Sequence, residues 1–511
     1  MTELTSTKDQ PLKSDAHVPA SALFIVIVLL VTLAIQVALY WPTTRALPFG
    51  DDWGVPLSEI HRGNTVGVLS FFTETRQPDS YRPIQSLLMW LFGRVEEPGR
   101  WFSIRILHFL CSAVLMGSLG LMLHAWKVGR NGVVAAMILA AVHPTLVAPV
   151  GSVDGFSSTL SCAFVWIGVW AMYVTRHRPV VSILLACVAL VVGTLVKEYA
   201  FALAPMAVLT AFLFLNPKWR WTLITAAALG ILTFALLWMR QFVKPTDMEL
   251  PPSDFAIDSP KALALNAGLV IVGGLFYGDS FGLYLDRSLF MKLVSGLIFA
   301  LGLLYLFGGW WLRVRAAEKS GSLSPRRVLV FLVLSFAAVT FPANVVMKIS
   351  EMYLCGLVVS VALLFAFAAD GWNRRLGANA VASWTIVLAL AITSGFAIWH
   401  KVTGMLQMGE LAKVQADGLA AIVNAAPDAK RVKILYRKDQ LEPRPTFSSY
   451  KLADCYLIRP TAAWVLFPGR DVLIDCVPPL PDERAVRAVE RSDADIVLYW
   501  DVWTQRYERL K

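Results

Sequence analysis

Long stretches without a polar interruption dominate this chain, and they recur at intervals that suit a bundle of membrane-crossing helices. Eleven apolar runs of roughly 17 to 25 residues match the length needed to cross a hydrocarbon core of about 30 Å. They are 20–41, 103–125, 131–149, 156–174, 179–196, 199–215, 220–239, 288–312, 327–347, 352–369 and 378–399. Most connections between them are short, but two are long, 42–102 and 240–287, and loops of that length tend to be functional. Inside the first, "PIQSLLMWLFG" (83–93) opens with a helix-compatible Pro and carries Trp90 and Phe92. It predicts an amphipathic helix lying in the interface. The segment 262–277, with Gly273–Gly274, reads as re-entrant or interfacial, or as a further span that would invert everything after it.

Beyond residue 400 the pattern changes. Short β-like runs ("VKILYR", "AAWVLF", "DVLIDCV", "DIVLYW") alternate with a helix-like 409–425 and a charged 482–491. The expected fold is an all-α polytopic membrane protein with a small C-terminal α/β domain. Residues 1–19 form a cytoplasmic tail, 20–400 the transmembrane domain and 401–511 the extracytoplasmic domain.

Composition agrees with the pattern. Of 511 residues, 57% are hydrophobic and 16% charged, where a soluble protein carries about a quarter charged residues. The net charge of +10 comes largely from alternate loops. These hold Lys127 and Arg130; Arg176 and Arg178; Lys218 and Arg220; Arg313, Arg315, Lys319, Arg326 and Arg327; and Arg374 and Arg375. By the positive-inside rule those loops are cytoplasmic, which leaves the C-terminal segment outside and gives no reason to expect nucleic acid as a partner. The first run is too long for a signal-peptide core and lacks a small-residue cleavage site, so it reads as a retained span. Cys111, Cys162, Cys187 and Cys355 fall in spans, whereas Cys455 and Cys476 lie outside, where an oxidising compartment favours a disulfide between them.

The middles of the spans are almost empty of charge, His108 coming nearest. Polar residues crowd the outer ends instead: Asp51, Asp52, Arg82, Arg105, His143, Asp154, Lys197, Glu198, Lys348 and Glu351. Ion-coupled transporters place such groups near the midplane. The pattern here points to a site half in lipid and half in water, which suits a substrate with its chain in the bilayer and its phosphate at the headgroups. Arg82, Lys197 and Lys348 can supply charge-assisted hydrogen bonds to that phosphate. If the phosphate leaves, they stabilise the charge that develops. Asp51 or Asp52 can take the proton from an acceptor hydroxyl, the second acid raising the pKa of the first or orienting the acceptor. Tyr81, His143, Asp154, Glu198 and Glu351 would shape the site.

Plainer roles exist for the same residues. The acid pair suits a helix N-cap, Lys197–Glu198 a local ion pair, and His108 a bond to a neighbouring helix. There is no HExxH or CxxC motif and no phosphate-binding glycine loop, so no metal or cofactor is expected, though acidic residues leave a divalent ion open.

The order of these motifs resembles the GT-C glycosyltransferases. It runs from Asp51–Asp52 through "YRP" (81–83), "RILHFL" (105–110), "HPTLVAPVGSVDG" (143–155) and "KEYAFALAP" (197–205) to "SEMYL" (350–354). The protein O-mannosyltransferases, the TMTC-type transferases and the bacterial aminoarabinose transferases of lipid A are most alike, over about 20–370. The resemblance implies a polyprenyl- or dolichyl-phosphate sugar donor, an inverting transfer outside the cytoplasm and a catalytic aspartate in the acid pair. The acceptor would be a glycan, lipid or protein. The chain departs from the TMTC pattern at Met352, where an Arg is expected, and has no TPR-like repeat in its tail. The basic inner loops and the absence of eukaryotic sorting signals suggest a bacterial inner membrane with a periplasmic tail. Two rival readings remain: a flippase for a lipid-linked sugar, which predicts polar lining through the bundle, and a non-catalytic assembly subunit.

Overall fold

The structure is a computed structural model that describes residues 19–49, 53, 55–75, 81–96, 99–151, 155–240, 242–245, 273–275, 289–317, 324–344, 354–376, 381–437, 462–477, 480–481, 484–486, 494–501 and 503–511. Each of the eleven apolar stretches meets a helix. Among the described residues, eight helices are long and apolar enough to cross a bilayer: Ala22–Arg45, Gly99–Ala125, Phe156–Val174, Pro179–Val196, Lys218–Arg240, Lys292–Arg315, Leu357–Arg375 and Val381–Asn424. The protein is an integral membrane protein. The other three stretches give the 20-residue helix Pro325–Asn344 and the shorter apolar helices Arg130–Ala141 and Glu198–Phe214.

Local chemistry sets many boundaries. Ser21 caps the first helix by accepting from the Phe24 N–H at 3.2 Å, and Pro83 and Pro179 open theirs, where their missing N–H costs nothing. The stretch expected to span 131–149 breaks at His143. Pro144 cannot continue the backbone ladder, and a 3-10 turn Pro144–Leu146 leads into a short helix, Val147–Gly151. Of the segment 262–277, only 273–275 is described, as a turn of helix with Gly274 facing Leu357 and Phe336.

Antiparallel passage sorts the chain into two ends. At one, the Ala20 N–H donates to Val128 O at 3.0 Å. Asp370 accepts from the N–H groups of Gly129 (2.9 Å) and Gly132 (3.2 Å), neutralising orphan donors at the start of helix Arg130–Ala141. This basic end carries Lys127, Arg130, Arg313, Arg315, Arg374 and Arg375. The opposite end carries the turn Trp41–Arg45, His143, Lys197, Glu198 and Arg240.

Helices Leu289–Ala317 and Leu357–Leu376 meet backbone to backbone. A Cβ at Gly309 would overlap the Ala368 backbone, and one at Gly371 the carbonyl of Gly309. Gly371→Val should therefore push the helices apart and cost about 1–3 kcal/mol or more. The check is a lowered thermal midpoint in detergent, with Gly230→Ala unchanged, since nothing lies within 4 Å of a Cβ there.

The last helix, Val381–Asn424, has 44 residues and so extends about 66 Å, roughly twice the core of a bilayer. The boundary expected at 400–401 falls inside it. Beside it, Gly409 admits the chain leaving the first helix, because a Cβ there would lie 2.8 Å from Leu47 O. Beyond it comes a four-stranded sheet in the order Leu473–Cys476, Arg431–Leu435, Ile496–Asp501, Arg506–Arg509, the first three parallel and the last antiparallel. Asp495 accepts from the N–H groups of Lys430 and Arg431, each at 2.8 Å, and joins two of these strands at their start. Strand Ile496–Asp501 is buried on both faces, as parallel strands usually are. Leu498 and Trp500 extend the core of the bundle, while Val497 and Tyr499 pack with Leu435, Val486 and Ala494. The run "AAWVLF", expected as a strand, contains instead a short helix, Ala463–Leu466. A brief apolar run does not distinguish the two by periodicity. Here packing decides, since Ala462, Val465 and Leu466 cover Trp53, Leu57, Ile60 and Trp101.

Candidate active site

The long first connection is folded onto the bundle by two helices. Val55–Thr65 lies beside Pro83–Gly93, where the sequence predicts a helix. The latter buries Gln85, Ser86, Met89 and Gly93 and sets Arg82 at its N-cap. A second turn approaches from the bundle. Helix Pro179–Val196 ends at Lys197 in extended backbone (φ −163°, ψ 155°), and a 3-10 turn begins at Glu198. The abrupt change of direction sends two successive side chains to different neighbours.

Glu198 meets two guanidinium groups. Arg82 donates through Nε to Oε1 (3.1 Å) and Oε2 (2.9 Å), and its Nη2 lies 2.8 Å from Oε2. Arg240, the last residue of helix Lys218–Arg240, donates through Nη1 to Oε1 at 3.2 Å. Its Nη2 donates to the backbone carbonyls of Thr194 (3.3 Å) and Tyr81 (3.4 Å). Charge-assisted bonds in this fork are roughly twice as strong as neutral ones. The cluster is sheltered, with side-chain exposures of 18% for Arg82, 28% for Glu198 and 9% for Arg240. Tyr81, whose hydroxyl donates to Phe72 O at 2.9 Å, has its pKa raised by burial and partly restored by Arg240, so it stays a neutral phenol.

Lys197 turns the other way and is 3% exposed. Its Nζ lies 5.9 Å from the centre of the Tyr199 ring, and its carbonyl accepts from Ser161 Oγ at 2.9 Å. Its charge also reaches Cys162, whose sulfur lies 3.9 Å from that of Cys355. His143 is fully buried, at 0% exposure. Its Nε2 lies 3.0 Å from Gly274 O and must donate there, because a carbonyl only accepts, while Nδ1 accepts from the N–H and hydroxyl of Thr145. This neutral ring fastens the turn 273–275 to the bundle, and buried Lys401 lies close enough to act on it electrostatically. Arg105 and His108, one helical turn apart, bind the carbonyls of Val150 (3.4 Å) and Pro149 (2.7 Å).

Of the residues singled out in the sequence, the structure thus brings Tyr81, Arg82 and Glu198 into one cluster, while Lys197 is buried near Tyr199 and Cys162. His143 sits at a separate junction. Asp51, Asp52, Asp154, Lys348, Glu351 and Cys455 lie outside the described residues, and so does the disulfide expected between Cys455 and Cys476. The acid pair is nonetheless bracketed by buried residues on both sides. Phe49 is 2% exposed and Trp53 6% exposed, and Trp53 Nε1 donates to Pro48 O at 2.8 Å. Sequence reasoning missed Arg240 and Lys401. Each lies within two residues of the end of an apolar run, on the side expected to be poor in positive charge, and that exception to the charge rule was the available signal. Among the described residues, no group of three or more His, Cys, Asp or Glu could hold a metal ion.

No protein-family model and no curated protein sequence matches the chain. Among solved structures it is similar to ArnT from Cupriavidus metallidurans in the apo state, with 11% identity over 94% of this chain and 93% of the other and a TM-score of 0.47. The same protein bound to undecaprenyl phosphate gives 13% identity, the same coverage and a TM-score of 0.46. The arabinofuranosyltransferase AftD from Mycobacteria gives 13% identity and a TM-score of 0.49 over 94% of this chain and 37% of the other.

Proposed function

We propose that this chain is a membrane glycosyltransferase that moves a sugar from a polyprenyl-phosphate carrier to an acceptor at the end of the bundle holding Arg82, Glu198 and Arg240. The observation that carries this reading is that cluster: two guanidinium groups fixed at the end of membrane-crossing helices, where the phosphate of a lipid whose chain lies in the bilayer would sit. By the distribution of basic loops that end faces outward, which in a bacterial inner membrane is the periplasm.

The chemistry follows from the charges. The acceptor oxygen attacks the anomeric carbon from the face opposite the phosphate, and the carbon–oxygen bond to phosphate breaks with its electron pair leaving on the phosphate. Asp51 or Asp52 takes the proton of the acceptor hydroxyl. Arg82 and Arg240 oppose the charge that grows on the phosphate, and Lys197, with Lys348, adds to the positive field. The configuration at the anomeric carbon inverts.

The test is turnover in nanodiscs. Purified protein is mixed with a polyprenyl-phosphate carrying a radiolabelled sugar and with acceptors extracted from the native envelope. Transfer of label with release of polyprenyl phosphate is expected. Label that changes leaflet with the sugar–phosphate bond intact would show a flippase, and the transferase reading would be wrong.

A further inference from the structure

Among the described residues, the cluster holds two guanidinium groups and one carboxylate. A site needed only to receive a phosphate has no use for a carboxylate, because the carboxylate occupies the donors and repels the ligand. Yet Glu198 takes both Nε and Nη2 of Arg82 (2.8–3.1 Å) and Nη1 of Arg240 (3.2 Å). Those donors form the same fork that a phosphate would engage. Arg240 has a second anchorage in the carbonyls of Tyr81 and Thr194, so its place does not depend on Glu198 alone. Glu198 is also the most exposed of the three, at 28% against 18% and 9%. Its carboxylate is therefore the most accessible of the three charged groups.

We propose that Glu198 is a resident counter-anion for Arg82 and Arg240, which a lipid phosphate displaces from the guanidinium fork and which returns as that phosphate leaves. The assignment rests on the reading of this cluster as the phosphate site. Two sheltered guanidinium groups repel each other, and Glu198 is the carboxylate that the described residues set between them. With phosphate bound, the displaced carboxylate is a like charge beside it and speeds its release. Glu198 thus trades affinity for turnover.

Binding of farnesyl monophosphate, a short polyprenyl phosphate, to the purified full chain in micelles tests this, with inorganic phosphate as a second probe. Glu198→Gln keeps the size and one acceptor but removes the charge. It should bind farnesyl phosphate about tenfold more tightly than wild type, with a similar ratio for inorganic phosphate, because Glu198 competes with the phosphate and not with the chain. Glu198→Asp keeps the charge and should show no such gain, which separates a lost charge from altered packing; folding of each variant is checked by its thermal midpoint. In turnover, Glu198→Gln should lower KM and kcat together, as slower product release demands. Arg82→Gln and Arg240→Gln should weaken binding at least tenfold. If the arginine variants weaken binding and Glu198→Gln weakens it too or leaves it unchanged, the carboxylate is only a scaffold and this proposal falls. If the arginine variants bind as wild type does, the phosphate site lies elsewhere and the underlying reading falls with it.

Discussion

Replacing the base of the acid pair with Asn is expected to lower transfer by about a hundredfold to ten-thousandfold, the usual worth of general-base catalysis. Asp51→Asn and Asp52→Asn both keep the shape of the side chain and remove the group that takes the proton. The two should not behave alike. The variant at the base loses kcat with little change in KM, because the proton moves only in the transition state. The variant at its neighbour loses much less, since it acts through the first acid's pKa or through the acceptor. The thermal midpoint of each variant checks its folding, and matched protein levels in membranes make the rates comparable. Equal activity of wild type and both variants would place the base elsewhere.

The second large effect is expected at Arg240. Arg240→Gln leaves Glu198 with one guanidinium partner instead of two and removes a cation from beside the leaving phosphate. Removing one preorganised donor from a developing anion typically costs about 10²–10³ in kcat. Part of the cost falls on stability, because breaking a buried pair is worth about 3–5 kcal/mol. Arg240→Lys separates the two contributions. It retains the positive charge, but an ammonium cannot reproduce a planar fork that spans Glu198 Oε1, Tyr81 O and Thr194 O. Lysine should recover part of the rate and little of the thermal midpoint. If Arg240→Gln unfolds no earlier than wild type and turns over as fast, Arg240 is outside the site.

Much of this molecule is legible from local pattern. Each of the eleven apolar runs meets a helix, because a bilayer selects for continuous apolar runs and that selection acts on neighbouring residues in the chain; the polar helix Val55–Thr65 carries no such signal. Pro83 marked the start of helix Pro83–Gly93 for an equally local reason. The run "AAWVLF" resisted, since six apolar residues satisfy a strand or a helix until packing with Trp53 and Leu57 in one cluster decides between them. Residue 400 looked like a domain edge because composition changes there, yet the backbone hydrogen bonds of helix Val381–Asn424 pass through without interruption.

The site divides along the same line. Sequence alone determined that this is a membrane-spanning helical protein, that its charged residues gather near the ends of its spans, and that Arg82 and Glu198 belong among them. Only tertiary structure decided that Glu198 pairs with Arg82 from 116 residues away and with Arg240 from 42, while the adjacent Lys197 is buried with its Nζ 5.9 Å from the centre of the Tyr199 ring. Hydrophobic periodicity is a property of neighbours and can be read along a chain. The partner of a buried charge is set by whichever opposite charge the packed helices bring within about 3 Å of it, and that distance exists only after the chain has folded.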